Sequence, residues 1–158
     1  MDRVRVALVG YGYWGPNLAR NFHQLPETEL AYVVDANPQA QAKARQLYGC
    51  ATAADLNEVL TDTDLDAVVI ATPARTHFAL AQAALLAGKH VLVEKPLTMD
   101  LAEGRELVAL AAERGLTLMV GHVFEFNPAV RYIKQAIDAG ELGDLFYLYS
   151  RRVNLGRV

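Results

Sequence analysis

Three glycines near the start of the chain have the spacing of a phosphate-binding loop. Gly10, Gly12 and Gly15 follow a short apolar run and precede a helix candidate, which is the context that a dinucleotide-binding fingerprint needs. Gly10 can make the tight turn, Gly12 has no Cβ to obstruct a pyrophosphate, and Gly15 lets the helix pack closely on the strand. The spacing therefore predicts a loop that holds a dinucleotide, with Tyr13 and Trp14 among its contacts.

An acidic residue follows at the distance that this fingerprint requires. Asp35 ends the second strand candidate 20 positions after Gly15, where a carboxylate can accept hydrogen bonds from both hydroxyls of an adenosine ribose. A 2'-phosphate would meet this negative charge, and the following Ala36 and Asn37 offer no arginine to neutralise it, so NAD is favoured over NADP. The alternative is a glycine turn required only for packing, with Asp35 as a polar strand end or a helix cap.

The segment after the strand candidate that ends at Ala71 should face the same crevice. Ligands of open α/β sheets lie beyond the carboxyl ends of the strands, so the residues just after each strand are candidates. Thr72 is expected to contact the cofactor ribose or diphosphate, and Pro73 and His77 are further candidate cofactor contacts. For His77, a capping or packing role is an equal alternative.

A lysine follows the next strand candidate. Glu94, Lys95 and Pro96 come directly after the strand, and the proline stiffens the turn. An ammonium held at this edge could face a reacting hydroxyl, so Lys95 is the candidate catalytic and substrate-binding residue. Glu94 and Lys95 are also candidate cofactor contacts. The alternative is a solvated lysine, which is the usual state at a strand end.

Three polar residues beyond the next strand form a further candidate group. His122, Glu125 and Asn127 could face a substrate. The apolar residues between them suit interdomain packing equally well, and packing is favoured for the aromatic ones.

These residues need a sheet whose strands end at one edge. Short β-branched runs alternate with stretches that have apolar residues every three or four positions, which indicates strands alternating with helices. The strand candidates are 5–9, 30–34, 67–71, 90–93, 116–120 and 145–149, with a weak one at 51–53. The helix candidates begin near Pro16, Pro38, Ala54, Thr76, Asp100 and Pro128. Strands as apolar as 67–71 are buried on both faces, so we expect a doubly wound parallel sheet of the Rossmann type with right-handed crossovers.

The pattern changes after Gly121. Residues 1–121 are predicted to form the cofactor-binding domain. Residues 122–158 are predicted to hold a crossover helix from Ala129 to Ala139, closed by Gly140, and then the first strand of a second α/β domain. That strand, 145–149, is aromatic and would be an unpaired edge, so we expect copies of the chain to associate through residues near 140–158.

The composition excludes several other classes of protein. The chain has 158 residues, of which 53% are hydrophobic and 21% charged, with a net charge of −3, so disorder and a basic nucleic-acid-binding surface are excluded. Cys50 is the single cysteine, so neither an intramolecular disulfide nor a zinc cluster is expected. The first residues lack the apolar core of a signal peptide, and no apolar run approaches the roughly 20 residues that span a bilayer. A cytoplasmic protein is the expectation.

Taken together, these motifs resemble a known family. The glycine loop, Ala71-Thr72-Pro73 with His77, and above all Glu94-Lys95-Pro96 are similar to the nucleotide-binding half of the Gfo/Idh/MocA oxidoreductases. The Glu-Lys-Pro element is the specific part, because many unrelated enzymes share the glycine motif. Gly12 to Asn17 and Phe126 to Pro128 are also similar to members that oxidise nucleotide-linked sugars at carbon 3.

The resemblance implies an enzyme that moves a hydride between a nicotinamide ring and a hydroxyl-bearing carbon of a sugar, sugar nucleotide or cyclitol. In this family the lysine that matches Lys95 lies beside the reacting hydroxyl, and the peptide before the proline that matches Pro96 is often cis. The protein would stabilise charge on the substrate oxygen, and the cofactor would carry the redox chemistry.

Family members continue into a second domain whose sheet covers the crevice and whose histidine accepts the proton. The 158 residues contain no such element, so we expect this chain alone to bind NAD without dehydrogenase activity. The alternative function is a non-catalytic NAD sensor or scaffold.

Overall fold

The central feature of the computed structural model, which describes residues 3–151 and 153, is a six-stranded parallel sheet. Its strands are β1 (Val4–Val9), β2 (Thr28–Val34), β3 (Ala51–Ala53), β4 (Ala67–Ile70), β5 (His90–Val93) and β6 (Leu118–Val120). They lie in the order β3-β2-β1-β4-β5-β6, and every neighbouring pair is parallel. The chain builds outward from β1 to β3 and then returns to the other side of β1, which confirms the doubly wound topology.

Five α-helices connect or follow these strands. They are α1 (Gly15–Gln24), α2 (Pro38–Tyr48), α3 (His77–Leu86), α4 (Leu101–Glu113) and α5 (Pro128–Asp138). Short 3-10 turns cover Leu56–Glu58, Ala74–Thr76 and Val123–Phe126. Asn37, Asp100 and Asn127 accept hydrogen bonds from the first amides of α2, α4 and α5, which satisfies donors that have no partner within those helices.

The helix expected near Ala54 is wrong, since only the 3-10 turn Leu56–Glu58 forms there. Asp55 and Glu58 build a capping box that starts the turn. A few residues later the Asp62 carboxylate accepts a hydrogen bond from the amide of Asp64 at 2.9 Å. Such side-chain bonds to the backbone compete with helical hydrogen bonds, so the segment turns before a helix can extend.

The sheet is covered by apolar residues on both faces. Leu8 and Val33 pack on one face with Ala19 of α1 and Ala44 of α2. On the other face, a second cluster contains Val68, Ile70, Val91 and Val93 of the strands with Leu85 of α3 and Leu107 of α4. All three of Val68, Val69 and Ile70 are at most 2% exposed. This burial of consecutive residues matches the expectation that a parallel strand between two layers of helices has a sequence of consecutive apolar residues.

The described residues divide into two compact units, one ending at Gly121 and the other beginning at His122. Helix α5 begins one residue earlier than expected, and Gly140 lies just beyond it with a φ of +73°. The strand expected at 145–149 is wrong, because these residues have no regular structure. A strand needs a neighbour to take its backbone hydrogen bonds, and none of the described residues pairs with this segment. The assignment of residues 122–158 to a second domain stays a prediction.

A polar network connects the first two strands to the loop before β4. The Asp62 carboxylate accepts a hydrogen bond from the Tyr32 hydroxyl at 2.9 Å and lies 3.6 Å from the Arg5 guanidinium. The buried Lys89 ammonium donates to the carbonyls of Asp62 and Leu65, both at 2.8 Å. The amide of Asp64, followed by the Tyr32 hydroxyl, lowers the pKa of Asp62. The same bond to Asp62 raises the pKa of Tyr32.

Removal of the Asp62 charge should reduce stability in a pH-dependent way. Because the pKa of Asp62 is lower in the folded chain than its unfolded value of about 3.9, its contribution is present above about pH 4 and is lost as the pH falls through the folded-state pKa. Asp62→Asn should therefore have a lower Tm than the unmodified chain at pH 7, and the difference should shrink below about pH 4. Thermal unfolding across that pH range measures it. The control Asp64→Asn keeps the amide that binds Asp62, so an equal loss in both variants would contradict the assignment.

Candidate functional site

A crevice of about 390 Å³ opens beyond the carboxyl ends of β1, β2 and β4. It lies where the strand order reverses, because β2 and β4 are the two neighbours of β1. Five residues that the sequence predicted for a cofactor line this crevice: Gly10, Gly12, Asp35, Thr72 and Pro73. The crevice can therefore take a nucleotide whose phosphates meet the glycine loop.

The three glycines of the loop have different surroundings. Gly10 has a φ of +93°, and a Cβ there would lie 2.9 Å from the backbone of Ala71. A Cβ on Gly15 would lie 2.1 Å from the carbonyl oxygen of Gly10, so α1 could not begin so close to β1 with any larger residue. A Cβ on Gly12 would meet no atom within 4 Å. Two glycines thus hold the turn together, and the third leaves the backbone open to a ligand.

The start of α1 continues from this loop. Trp14 is the residue before the helix, and its side chain makes no capping hydrogen bond; Pro16 has no amide hydrogen, and the Asn17 amide donates to the Trp14 carbonyl at 3.0 Å. Tyr13 and Trp14 are 76% and 42% exposed, whereas Gly15 is buried. A helix start of this kind attracts a phosphate through its amides and its dipole. Tyr13 and Trp14 do not line the crevice itself, and their contact with a cofactor stays a prediction.

The Asp35 carboxylate connects the glycine loop to the end of β2. One oxygen accepts a hydrogen bond from the Tyr11 amide at 2.7 Å, and the other accepts one from the Asn37 amide at 2.8 Å. A carboxylate has about four lone-pair positions, so two acceptor sites remain for ribose hydroxyls. Asp35 therefore both shapes the loop and presents negative charge to the crevice.

The loop after β4 is tied down by its own side chains. The Thr76 hydroxyl lies 2.7 Å from that of Thr72 and 2.8 Å from the carbonyl of Pro73. His77, the first residue of α3, is 1% exposed and does not line the crevice. Its ring contacts two backbone carbonyls, which corresponds to the packing alternative; a contact with the cofactor stays a prediction.

The turn after β5 presents Lys95 at the same edge of the sheet. The Lys95–Pro96 peptide is cis, as the family resemblance implied. The Lys95 side chain is exposed and makes no hydrogen bond or ion pair with any described residue. The Glu94 carboxylate packs on Gly121, where a Cβ would approach one of its oxygens to 3.0 Å. Glu94 and Lys95 lie outside the lining of the crevice, and their contacts with a cofactor or a substrate stay predictions.

The three candidates after β6 belong to the second unit of the chain. Asn127 caps α5, because its side-chain oxygen accepts a hydrogen bond from the Ala129 amide at 2.9 Å. His122 precedes the 3-10 turn, and the carbonyl of Glu125 accepts a hydrogen bond from Arg131 at 3.0 Å. Contacts of these residues with a substrate stay predictions.

Sequence reasoning missed one cation of the crevice. Arg75 lines it together with two carboxylates, Asp35 and Asp55, and forms no ion pair with any described residue. Arg75 therefore gives the crevice a positive charge, although no arginine directly follows Asp35. The sequence did indicate Arg75 as a candidate, because it lies three residues after Thr72 in a segment that follows a strand end.

Residues 3–151 and 153 contain neither a cluster of metal ligands nor a helix that could span a membrane. No group of three or more His, Cys, Asp or Glu side chains in this part of the chain could hold a metal ion. None of the helices in these residues has the length and hydropathy needed to span a bilayer.

Known proteins share both the sequence and the fold of this chain. UDP-N-acetylglucosamine 3-dehydrogenase of Acidithiobacillus ferrooxidans is 36% identical over 136 residues, which cover 86% of this chain and 42% of that protein. Inositol 2-dehydrogenase 1 of Mycolicibacterium vanbaalenii is 38% identical over 152 residues, covering 94% and 44%. The crystal structure of scyllo-inositol dehydrogenase from Lactobacillus casei with bound NAD(H) and scyllo-inositol superposes with a TM-score of 0.85 at 28% identity, covering 90% and 43%.

The chain thus spans less than half the length of each of these relatives. Residues 4–122 match the sequence model of the Gfo/Idh/MocA group, described as an oxidoreductase family with an NAD-binding Rossmann fold. The match includes the glycine loop, Asp35 and the Glu-Lys-Pro turn. The chain therefore belongs to the Gfo/Idh/MocA oxidoreductase family and contains its NAD-binding Rossmann fold.

Proposed function

We propose that the protein transfers a hydride between NAD and a hydroxyl-bearing carbon of a sugar, sugar nucleotide or cyclitol, and that this chain supplies the cofactor-binding half. The observation that carries the proposal is the position of Lys95. It follows β5, two strands from the glycine loop and at the same edge of the sheet, so a cofactor in the crevice and a substrate beside Lys95 would meet there.

The residues of the crevice fit NAD. Gly12 leaves the backbone open to a pyrophosphate, and the Gly15 amide at the start of α1 can donate to one of its oxygens. Asp35 has acceptor sites left for the adenosine ribose, and Arg75 can balance phosphate charge. Bound NAD would supply the hydride acceptor.

Lys95 would act on the substrate oxygen. Its ammonium can donate a hydrogen bond from Nζ to the reacting hydroxyl, and it stabilises the negative charge that develops on that oxygen as the carbon loses hydride. Because no described residue binds the ammonium, Lys95 loses no internal ion pair when a substrate arrives. The relatives act on an inositol and on a UDP-linked sugar, which supports polyhydroxylated substrates for this protein.

We also infer that copies of the chain associate through residues near 140–158. In this segment Phe146, Tyr147 and Tyr149 are each at least 80% exposed, and exposed aromatic clusters commonly mark interaction surfaces. Residues 152 and 154–158 of the range lie outside the described residues. Light scattering at increasing protein concentration measures this association.

The cytoplasm remains the proposed location. A single, buried cysteine, Cys50, is typical of proteins in a reducing compartment.

Two glycine substitutions should separate ligand binding from folding. Gly12→Ala should keep the Tm, because its methyl group meets nothing, but should weaken NAD binding about ten-fold or more as the methyl enters the space of the pyrophosphate. Gly15→Ala should lower the Tm by about 5 °C or more, because its methyl group collides with the Gly10 carbonyl. Calorimetric titration and thermal unfolding measure the two effects. Unchanged NAD affinity in Gly12→Ala would contradict the proposed cofactor position.

Asp35 should set the preference between the two nicotinamide cofactors. NAD should bind about ten-fold or more tightly than NADP, since a 2'-phosphate would lie against the carboxylate. Asp35→Asn should reduce this ratio while keeping an acceptor for the Tyr11 amide. Titrations of both cofactors at matched ionic strength give the ratio. Asp55→Asn changes the other carboxylate of the crevice and serves as the control, so an equal effect in both variants would show that the preference reflects total charge rather than Asp35.

Lys95→Met should remove catalysis while keeping cofactor binding. In the full-length gene product, turnover with inositols or UDP-sugars should fall about 100-fold or more, the scale of one positioned acid/base or electrostatic group, and the Kd for NAD should change only a few-fold. Absorbance of NADH measures turnover. Lys43→Met removes an exposed lysine of α2 as the control. Turnover that survives Lys95→Met would refute the catalytic role, and NAD binding without turnover on any substrate would favour a sensor.

A further inference from the structure

His77 connects two loops of the candidate site. It is the first residue of α3 and is 1% exposed. Its Nδ1 lies 2.7 Å from the carbonyl oxygen of Pro96, and its Nε2 lies 2.9 Å from the carbonyl oxygen of Thr72. Thr72 lines the cofactor crevice, and Pro96 directly follows Lys95. One imidazole ring therefore spans the distance between the loop after β4 and the turn after β5.

Both partners of the ring can only accept hydrogen bonds. A backbone carbonyl has no hydrogen to donate, and a neutral imidazole carries a hydrogen on only one of its nitrogens. A neutral His77 would therefore place a nitrogen lone pair against a carbonyl oxygen at 2.7 or 2.9 Å. An imidazolium donates from both nitrogens and satisfies both carbonyls. Two charge-assisted hydrogen bonds reduce the cost of burying the charge.

The turn that carries Lys95 has few other attachments. Glu94 continues the β5 ladder through its amide, which donates to the Ile70 carbonyl at 2.9 Å. The Lys95 amide makes only a 3.3 Å contact with the Glu94 carboxylate, which belongs to the same turn. Among the described residues, His77 is the group that forms a hydrogen bond with Pro96 from another element. Its ring is thus positioned to set where the turn lies relative to the crevice.

We propose that His77 is a positioning residue that, as an imidazolium, donates to the Thr72 and Pro96 carbonyls and so holds the Lys95 turn against the loop that lines the cofactor crevice. The importance of this arrangement for catalysis rests on the proposed function of Lys95. The hydrogen-bonding state of the ring and its effect on the turn can be tested without the cofactor, so they are decided whether or not the chain binds NAD.

The chain contains a matched control in another histidine. His90 begins β5, and its Nδ1 accepts a hydrogen bond from the Thr117 amide at 2.9 Å. That nitrogen must lack a hydrogen, which is the opposite of what His77 requires at both positions. His90 is exposed, and its ring contacts neither Thr72 nor Pro96.

Nitrogen NMR of the 15N-labelled chain tests the protonation of the ring. In the folded chain, His77 should show a directly bonded, slowly exchanging hydrogen on both ring nitrogens, and His90 should show none on Nδ1. His77→Gln identifies the signals by their loss. If that variant does not fold, His23→Gln, His90→Gln and His122→Gln identify them by elimination in the folded chain. A single bonded hydrogen on the His77 ring would overturn the proposal.

Amide hydrogen exchange tests the effect on the turn. Gln can donate to one carbonyl but cannot reach both, so in His77→Gln the amides of Glu94 and Thr76, which donate to the Ile70 and Pro73 carbonyls, should exchange about ten-fold faster, the scale of one lost hydrogen bond. Amides of β1 should keep their rates, which separates a local effect from a general loss of stability. His90→Gln should change the Glu94 and Thr76 rates less than about two-fold. Equal rates at these amides in His77→Gln and the unmodified chain would overturn the positioning role.

Discussion

The close approach of α1 to β1 is the constraint on which the site depends. Gly15 packs so tightly on the Gly10 carbonyl that a Cβ would lie 2.1 Å from it, and Gly10 itself packs on the backbone of Ala71. These contacts bring the start of a helix, the end of β1 and the end of β4 to one point. The crevice lies at this point, and the dipole of the neighbouring α1 start favours an anion there. Asp35 and Thr72 line the same crevice from the ends of the neighbouring strands β2 and β4.

The polar groups around the crevice serve the fold and the ligand together. Asp35 accepts hydrogen bonds from the Tyr11 and Asn37 amides. The carboxylate that could bind ribose hydroxyls therefore also supports the glycine loop. His77 similarly uses its ring to join the loop of Thr72 to the turn of Lys95. A substitution at either residue therefore changes backbone positions as well as ligand contacts. Variants that keep an acceptor or a donor are more informative than truncation to alanine at such sites.

The main elements could be predicted because apolar periodicity directly reflects burial. The runs at 67–71 and 90–93 are apolar because helices cover both faces, and the structure contains strands at both places. The failures have local causes. Asp55 and Asp62 bind backbone amides and stop a helix near Ala54, and 145–149 has strand composition without a partner strand among the described residues. The ring contacts of His77 depend on which loops meet in space, and residue spacing does not contain that information.

The similarity of this chain to its relatives concerns the cofactor more than the substrate. One relative is named for oxidation of UDP-N-acetylglucosamine at position 3 and another for oxidation of inositol at position 2, yet their identities to this chain, 36% and 38%, are nearly equal. A cyclitol and a nucleotide sugar differ greatly in size and charge, so residues that serve both cannot select between them. What the two reactions share is a hydroxyl-bearing carbon beside a nicotinamide ring. In the function that we propose, Lys95 would meet such a hydroxyl, and the parts of a substrate that distinguish one from another would be recognised by other groups.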